Sequence, residues 1–335
     1  MLKYLCNINI LWKITGILFL VIAGIWCTGV VYYNLSPRGW SQKVITLAFM
    51  VIVSIITIFV IKGNSVLALD LTMLELLLIW YFCTLTPQQC FNNTSWQIPW
   101  KRNPIVFFES GNVVTIHNIR DFNYRTENDY DINYISSQFD LSKITGVDLA
   151  VSHWDDIESI AHTMLSFEFS DGRHLAFSIE TRLPENSEQG FIPGLYKQYG
   201  LLIIIGTEDD LFKLRTNYRK EKLYLYRTNA NARQARTILQ SLLLSANRNI
   251  KYPQFYNSLT QNCTTTLIPM LRDINPSFIG DIRLMLNGYS DELLFDMGYL
   301  ATQPGETFKQ LKQRCLTNQY LNTQGEYSNI IRSGM

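Results

Sequence analysis

Two stretches near the start of the chain carry no charged side chain. Ile14 to Tyr33 is twenty residues long, and Val44 to Ile61 is eighteen, bracketed by Lys43 and Lys62. As helices, runs of that length cross a hydrocarbon layer of about 30 Å. A third stretch, Val66 to Leu85, is nearly as apolar but contains Asp70 and Glu75, and has Trp80 and Tyr81 near Pro87, as an interfacial aromatic belt requires. Three membrane helices are therefore expected within residues 1–90. The long first run, the lack of a small-residue cleavage site and the prompt second span read as an anchor rather than a cleaved signal.

Beyond Pro87 the pattern changes to that of an α+β domain over residues 91–335. Ile105–Phe108 and Val113–His117 read as short strands around Glu109-Ser110-Gly111-Asn112. The clearest period-two signal is His162–Phe169 followed by His174–Thr181. Leu165, Phe167 and Phe169 share one face with Leu175, Phe177 and Ile179. Matching those faces across a hairpin requires an odd number of loop residues, and Asp171–Arg173 supplies three. That register sets Glu180 opposite Met164 and diagonal to His162. Leu201–Gly206 and Leu223–Tyr226 read as further strands. Asn231–Ala246 places Ala235, Ile238, Leu239, Leu242 and Leu243 on one helical face. A second helix is expected from Cys263 to the stop at Pro276.

The 335 residues carry a net charge of +1 with no basic cluster, which gives no reason to expect nucleic acid. Charge does not orient the anchor either. With the amino terminus inside, Lys3, Lys13 and Lys62 face the cytoplasm while Arg38, Lys43, Lys101 and Arg102 lie outside. The six cysteines form no CxxC pair and no Cys/His ligand spacing, so no metal site is expected. Pairing of Cys263 with Cys315 is left open.

Three residues suit nucleophilic catalysis. A thiol at a helix start meets unpaired N–H groups and the positive end of the dipole, which favour thiolate and can hold an oxyanion. A histidine on a neighbouring strand takes the thiol proton, and a carboxylate fixes its tautomer. Cys263, His162 and Glu180 fit these roles. Each also has a plain reading: a small core cysteine, a satisfied histidine, a solvated glutamate.

Longer strings decide between them. The run from Asn118 through Arg120-Asp121-Phe122-Asn123-Tyr124-Arg125 resembles the signature of the Lnb amino-terminal periplasmic domain family. So do Ile160-Ala161-His162-Thr163, Ser178-Ile179-Glu180-Thr181-Arg182, Leu214-Arg215-Thr216-Asn217-Tyr218-Arg219 and Tyr256-Asn257-Ser258-Leu259-Thr260-Gln261-Asn262-Cys263. The similarity runs from about Trp96 to the end, with departures at Gly200 and His153. It implies a permuted papain-like fold, as in lecithin:retinol acyltransferase and its relatives, in which histidine precedes cysteine. It further implies a membrane-bound cysteine acyltransferase without cofactor, moving a phospholipid acyl chain through a Cys263 thioester to the N-terminal amine of a lipoprotein. The catalytic domain would lie on the periplasmic side of a multi-pass bacterial inner-membrane protein. Tyr256, Asn257 and Asn262 are then expected at the substrate. Arg120, Tyr124 and Arg125 either join strands to the core or meet an anionic headgroup, since Arg binds phosphate bidentately. His174 ranks below Glu180 as third member. The rival readings are a cysteine peptidase or amidase acting on cell-wall peptide, and a membrane-tethered binding module with an inert thiol.

Overall fold

The computed structural model describes residues 2–34, 39–61, 77, 94–154, 157–274, 281–284 and 286–335. The chain divides into two compact units: Met1–Thr94 with Gly190–Gln198, and Ser95–Gln189 with Tyr199–Met335.

In the first unit, helices span Leu2–Asn34 and Trp40–Ile61. Ile17–Asn34 is long and apolar enough to cross a membrane, eighteen residues at a mean hydropathy of 1.8, whereas the apolar stretch Trp40–Ile55 is shorter. Among the described residues one helix, not three, meets that test. The expected third span, Val66 to Leu85, lies outside the described residues except for Leu77. The Gly190–Gln198 segment belongs to this unit through Tyr196, which stacks on Tyr33 at 5.0 Å between ring centroids and lies tilted against Trp26 at 4.9 Å.

The second unit is built on a mixed sheet. Its strands are β1 (Ile105–Phe108), β2 (Val113–Arg120), β5 (Tyr134–Asp140), β6 (Ile144–His153), β7 (Ala161–Phe169), β8 (His174–Arg182), β9 (Gly200–Gly206) and β10 (Lys222–Arg227); β3 (Asn123–Tyr124) and β4 (Tyr130–Asp131) form a separate small pair. The order is β1-β2-β9-β8-β7-β6-β10, with β5 also paired to β2. All pairings are antiparallel except the contact of β2 with β9 at Arg120 and Gly206.

Period-two alternation gives the sheet two faces. Phe167, Phe169, Leu175, Phe177 and Ile179 pack under the helix Ala232–Lys251, through Ala235, Ile238, Leu239, Leu242 and Leu243 as its stripe predicts. Asn231 caps that helix in a reciprocal box with Gln234. The other face carries Met164, Ala176, Leu202 and Ile204 against Leu211, Phe212 and Tyr327.

The hairpin register differs from expectation. Glu168 pairs with His174 and Met164 with Ser178, and the Phe169 N–H donates to the Arg173 carbonyl, so the three-residue loop is Ser170–Gly172 rather than Asp171–Arg173. Gly172 turns it at φ +83°, a conformation that costs glycine little. The loop length is still odd, so both apolar faces match. The slip of two residues puts Ser178 across from Met164 and brings Glu180 level with His162, beyond the last paired residues.

Candidate active site

The β7–β8 ladder ends at Met164 and Ser178. Below that pair, β7 continues as a strand partner of β6 and β8 as one of β9, with no ladder between β7 and β8, so the sheet opens between them. His162 and Glu180 line this opening from the face that carries Met164. Cys263 packs on the opposite face with Leu267 and Phe177. Thiol and imidazole nevertheless hydrogen-bond each other. They meet through the opening.

Behind the imidazole stands a chain of partners. His162 Nε2 lies 2.6 Å from Ser178 Oγ and 3.2 Å from Glu180 Oε1, while Ser178 donates to the same Glu180 oxygen. That leaves Nδ1 for the thiol. Arg215 reaches Glu180 Oε1 at 3.4 Å and Glu221 Oε2 at 2.9 Å; Ser152 donates to Glu221 at 2.6 Å. Arg215 sits on a π-helical turn, Leu214–Tyr218, a distortion that widens the helix where its side chain must be aimed.

The sulfur has other donors. Asn287 Nδ2 reaches Cys263 Sγ at 3.4 Å, and the Thr163 backbone N–H also donates to it. Asn287 Oδ1 in turn accepts from the Ala161 N–H at 3.0 Å, tying β7 to the thiol's other neighbour. Gly288 makes this possible. A Cβ there would sit 1.9 Å from the Glu158 carbonyl oxygen.

These contacts set the charges. Burial raises the thiol pKa, but the His162 charge and hydrogen bond, with the Thr163 N–H and Asn287, outweigh it and lower Cys263 from 9.0 to about 7. Burial and Arg215 disfavour protonated His162, yet Glu180 and the Cys263 sulfur prevail and raise it from 6.5 to about 9. Burial opposes ionised Glu180, while His162, Arg215 and Ser178 hold its pKa well below the usual carboxylate value. At neutral pH the thiol is therefore partly ionised beside a protonated imidazole. Cys315, by contrast, is a free buried thiol whose pKa burial raises to about 12, and Cys263 is also free, so the two are not paired.

Cys263 does not begin a helix. It lies in a turn ahead of the 3₁₀ turn Thr265–Leu267 and the short helix Ile268–Ile274. The first N–H groups there are already engaged: Asn262 Oδ1 accepts from Thr264 N at 3.0 Å and Thr265 N at 2.9 Å. Anion stabilisation at the sulfur comes instead from His162 first, and then from the Thr163 N–H and Asn287, all on other elements.

The expected substrate-binding residues divide. Tyr256 lies at the site, hydrogen-bonded to Thr181, with its pKa raised by burial and then by the nearby Cys263. Asn262 caps the nucleophile's turn, and Asn257 Oδ1 accepts from Leu259 N and Thr260 N, so both shape the loop. Arg120 does not offer itself to a headgroup: it is buried in a bidentate pair with Asp210, at 2.8 and 2.9 Å. The buried Tyr124 hydroxyl donates to the same carboxylate at 3.3 Å. Arg125 is exposed but paired with Asp129 and Asp131. His174 lies across from Glu168, six residues along β7 from His162. Ser178 and Asn287 carry parts of the site that the sequence reading missed. The Asn287-Gly288 dipeptide signals only a turn.

Next to Cys263, on the face of the helix Ala232–Lys251, is a cavity of 220 Å³. Its walls include Leu149, Leu165, Ile238, Leu267 and Leu294, and Thr163, Thr264 and Ser290 supply hydroxyls.

Fold and site together define an α+β domain organised around a cysteine–histidine–carboxylate constellation. Residues 130–288 match the model of a family described as the Lnb N-terminal periplasmic domain. No curated protein and no solved structure matches the chain. The matched stretch holds His162, Ser178, Glu180, Arg215, Cys263 and Asn287 and excludes Arg120, Tyr124 and Arg125. With the apolar helix Ile17–Asn34, the match fits a membrane protein with a periplasmic domain.

Proposed function

We propose that this protein is a membrane-bound cysteine acyltransferase of permuted papain-like fold, with its catalytic domain on the periplasmic side of a multi-pass anchor. The observation that carries the reading is the Cys263–His162 hydrogen bond, backed by Ser178 and Glu180 and completed by donors from Asn287 and Thr163. The Cys263 thiolate attacks the carbonyl carbon of a phospholipid ester. The C–S bond forms, the C–O bond to glycerol breaks, and the His162 imidazolium gives its proton to the leaving oxygen. Asn287 and the Thr163 N–H face the sulfur and lie where donors to the developing oxyanion are needed. The N-terminal amine of a lipoprotein then attacks the thioester. A C–N bond forms, the C–S bond breaks, and His162 takes the amine proton, restoring the thiolate–imidazolium pair. Membrane anchoring raises the effective concentration of both substrates.

The test is the intact mass of the Cys263-containing peptide after the full chain is incubated in phospholipid vesicles. An acyl adduct released by neutral hydroxylamine, and absent in Cys263→Ala, is expected. Acylation of Cys263 by peptide amides but by no phospholipid would replace this reading with a peptidase or amidase.

A further inference from the structure

The 220 Å³ cavity beside the nucleophile is unlike an ordinary packing defect. Protein interiors are close-packed, and voids larger than a water molecule are few. An apolar cavity of about 150 Å³ stays dry and takes up benzene. This one is partly open, and its walls are mostly apolar, with Val147, Leu149, Leu165, Ile238, Leu267 and Leu294 beside the polar side chains of Asn229 and Gln234.

Three of its hydroxyl-bearing residues, Thr163, Thr264 and Ser290, are the sulfur's own neighbours; Thr228 and Tyr299 also line it. Thr163 supplies the N–H that donates to Cys263. Thr264 follows Cys263 directly, with its Oγ1 3.9 Å from the sulfur. Ser290 donates to the carbonyl of Asn287, the residue whose side chain reaches the thiol. These hydroxyls are already engaged: Thr163 Oγ1 lies 3.0 Å from Thr264 Oγ1 and 3.5 Å from Ser290 Oγ. They make no open demand for a polar ligand. Leu267 both lines the cavity and lies on the 3₁₀ turn after the nucleophile. A group bonded to Cys263 thus has an apolar compartment within immediate reach, on one side of the sheet.

We propose that this cavity holds the carboxyl-proximal part of the acyl chain while it is esterified to Cys263, so that its volume sets acyl selectivity. The inference rests on the acyltransferase reading and adds to it where the chain goes. At 220 Å³ the space takes more than one benzene-sized group but only a section of a long chain.

Ala230 and Leu294 both line the cavity, and neither belongs to the catalytic constellation. Ala230→Phe fills it, and Leu294→Ala enlarges it. The full chain and both variants are given vesicles of phosphatidylglycerol bearing short, medium or long saturated chains, and Cys263 thioester is quantified by mass. Iodoacetamide labelling of Cys263 at neutral pH reports that each variant keeps its folded site. Ala230→Phe should lower the long-to-short ratio by roughly tenfold or more, the discrimination a hydrophobic pocket gives for a methylene or so, and Leu294→Ala should raise it. If Ala230→Phe does not fold, the Leu294→Ala shift alone decides. A wild-type thioester whose length profile is unchanged in the folded variants overturns the cavity assignment and leaves the acyltransferase reading standing. Failure of every phospholipid to acylate wild-type Cys263 overturns both.

Discussion

Replacing His162 with glutamine tests the thiolate–imidazolium pair directly. In the native site the Cys263 pKa falls from 9.0 to about 7, and the His162 charge and hydrogen bond are the largest influences lowering it. Half of the thiol is therefore ionised at pH 7, against about one part in a hundred for a thiol at 9.0. In His162→Gln the burial that raises the pKa remains, so the midpoint should climb to 9 or above and the thiolate population at pH 7 should fall about fiftyfold. Rate does not fall as far. A thiolate of higher pKa is intrinsically more nucleophilic, with a Brønsted slope of about 0.4–0.5, which returns roughly six- to tenfold. The net expectation is a five- to eightfold slower reaction at pH 7 and a crossover at high pH, where the variant overtakes the wild type. Iodoacetamide labelling followed by peptide mass gives the second-order rate across pH. A His162→Gln curve with the wild-type midpoint and no crossover would refute the pairing.

Four more outcomes follow from the same geometry. Turnover should rise as pH passes through about 7, where Cys263 ionises, and fall as it passes through about 9, where His162 loses its proton; a pH–rate profile reads both values, which belong to the coupled pair. Glu180→Gln should keep the fold and lower turnover by roughly 10²-fold or more, because the imidazolium loses its counter-charge; a change within about twofold would remove Glu180 from the mechanism. Gly288→Ala should displace the Asn287 turn from the Glu158 carbonyl and slow acylation by about 10²-fold, the loss typical of one oxyanion donor, while Asn287→Ala should lose a similar factor in a kcat measurement. Asp210→Asn should cost about 3–5 kcal/mol in a denaturant titration, since Arg120 would be left buried and half-paired; weakened headgroup binding at unchanged stability would instead return Arg120 to the substrate.

Periodicity made much of the domain legible. The alternation in His162–Phe169 and His174–Thr181 located β7, β8 and their faces, and the stripe from Ala235 to Leu243 located the long helix. The register did not follow, because three-residue loops at Asp171–Arg173 and at Ser170–Gly172 satisfy the same parity, and only Gly172 at positive φ and the ladder itself distinguish them. β6 gave no alternating signal because nearly every position is buried, with Asp148, Ser152 and His153 among them. Asp148 is tolerated there only because Arg227 and Arg332, distant in sequence, come to meet it. Cys263 and His162 were identified by residue type and string, but for a reason the fold replaces: the N–H groups of a helix start are occupied by Asn262, and donors arrive from β7 and Asn287. No local pattern announces a partner that lies more than twenty residues away.

The parting of β7 from β8 turns the sheet into a bulkhead with a single port. Cys263 and the apolar cavity occupy one compartment, and Ser178, Glu180, Arg215 and Glu221 occupy the other. The bond between sulfur and imidazole passes through the port. The greasy part of a substrate can then change without disturbing the ion lattice that holds the proton in place. Because no residue of the cavity wall is among the partners of Glu221, a change in the cavity such as Ala230→Phe and one in the lattice such as Glu221→Gln should combine additively in activation free energy. Selectivity and basicity are thereby plumbed separately, and each is free to drift on its own side of the wall.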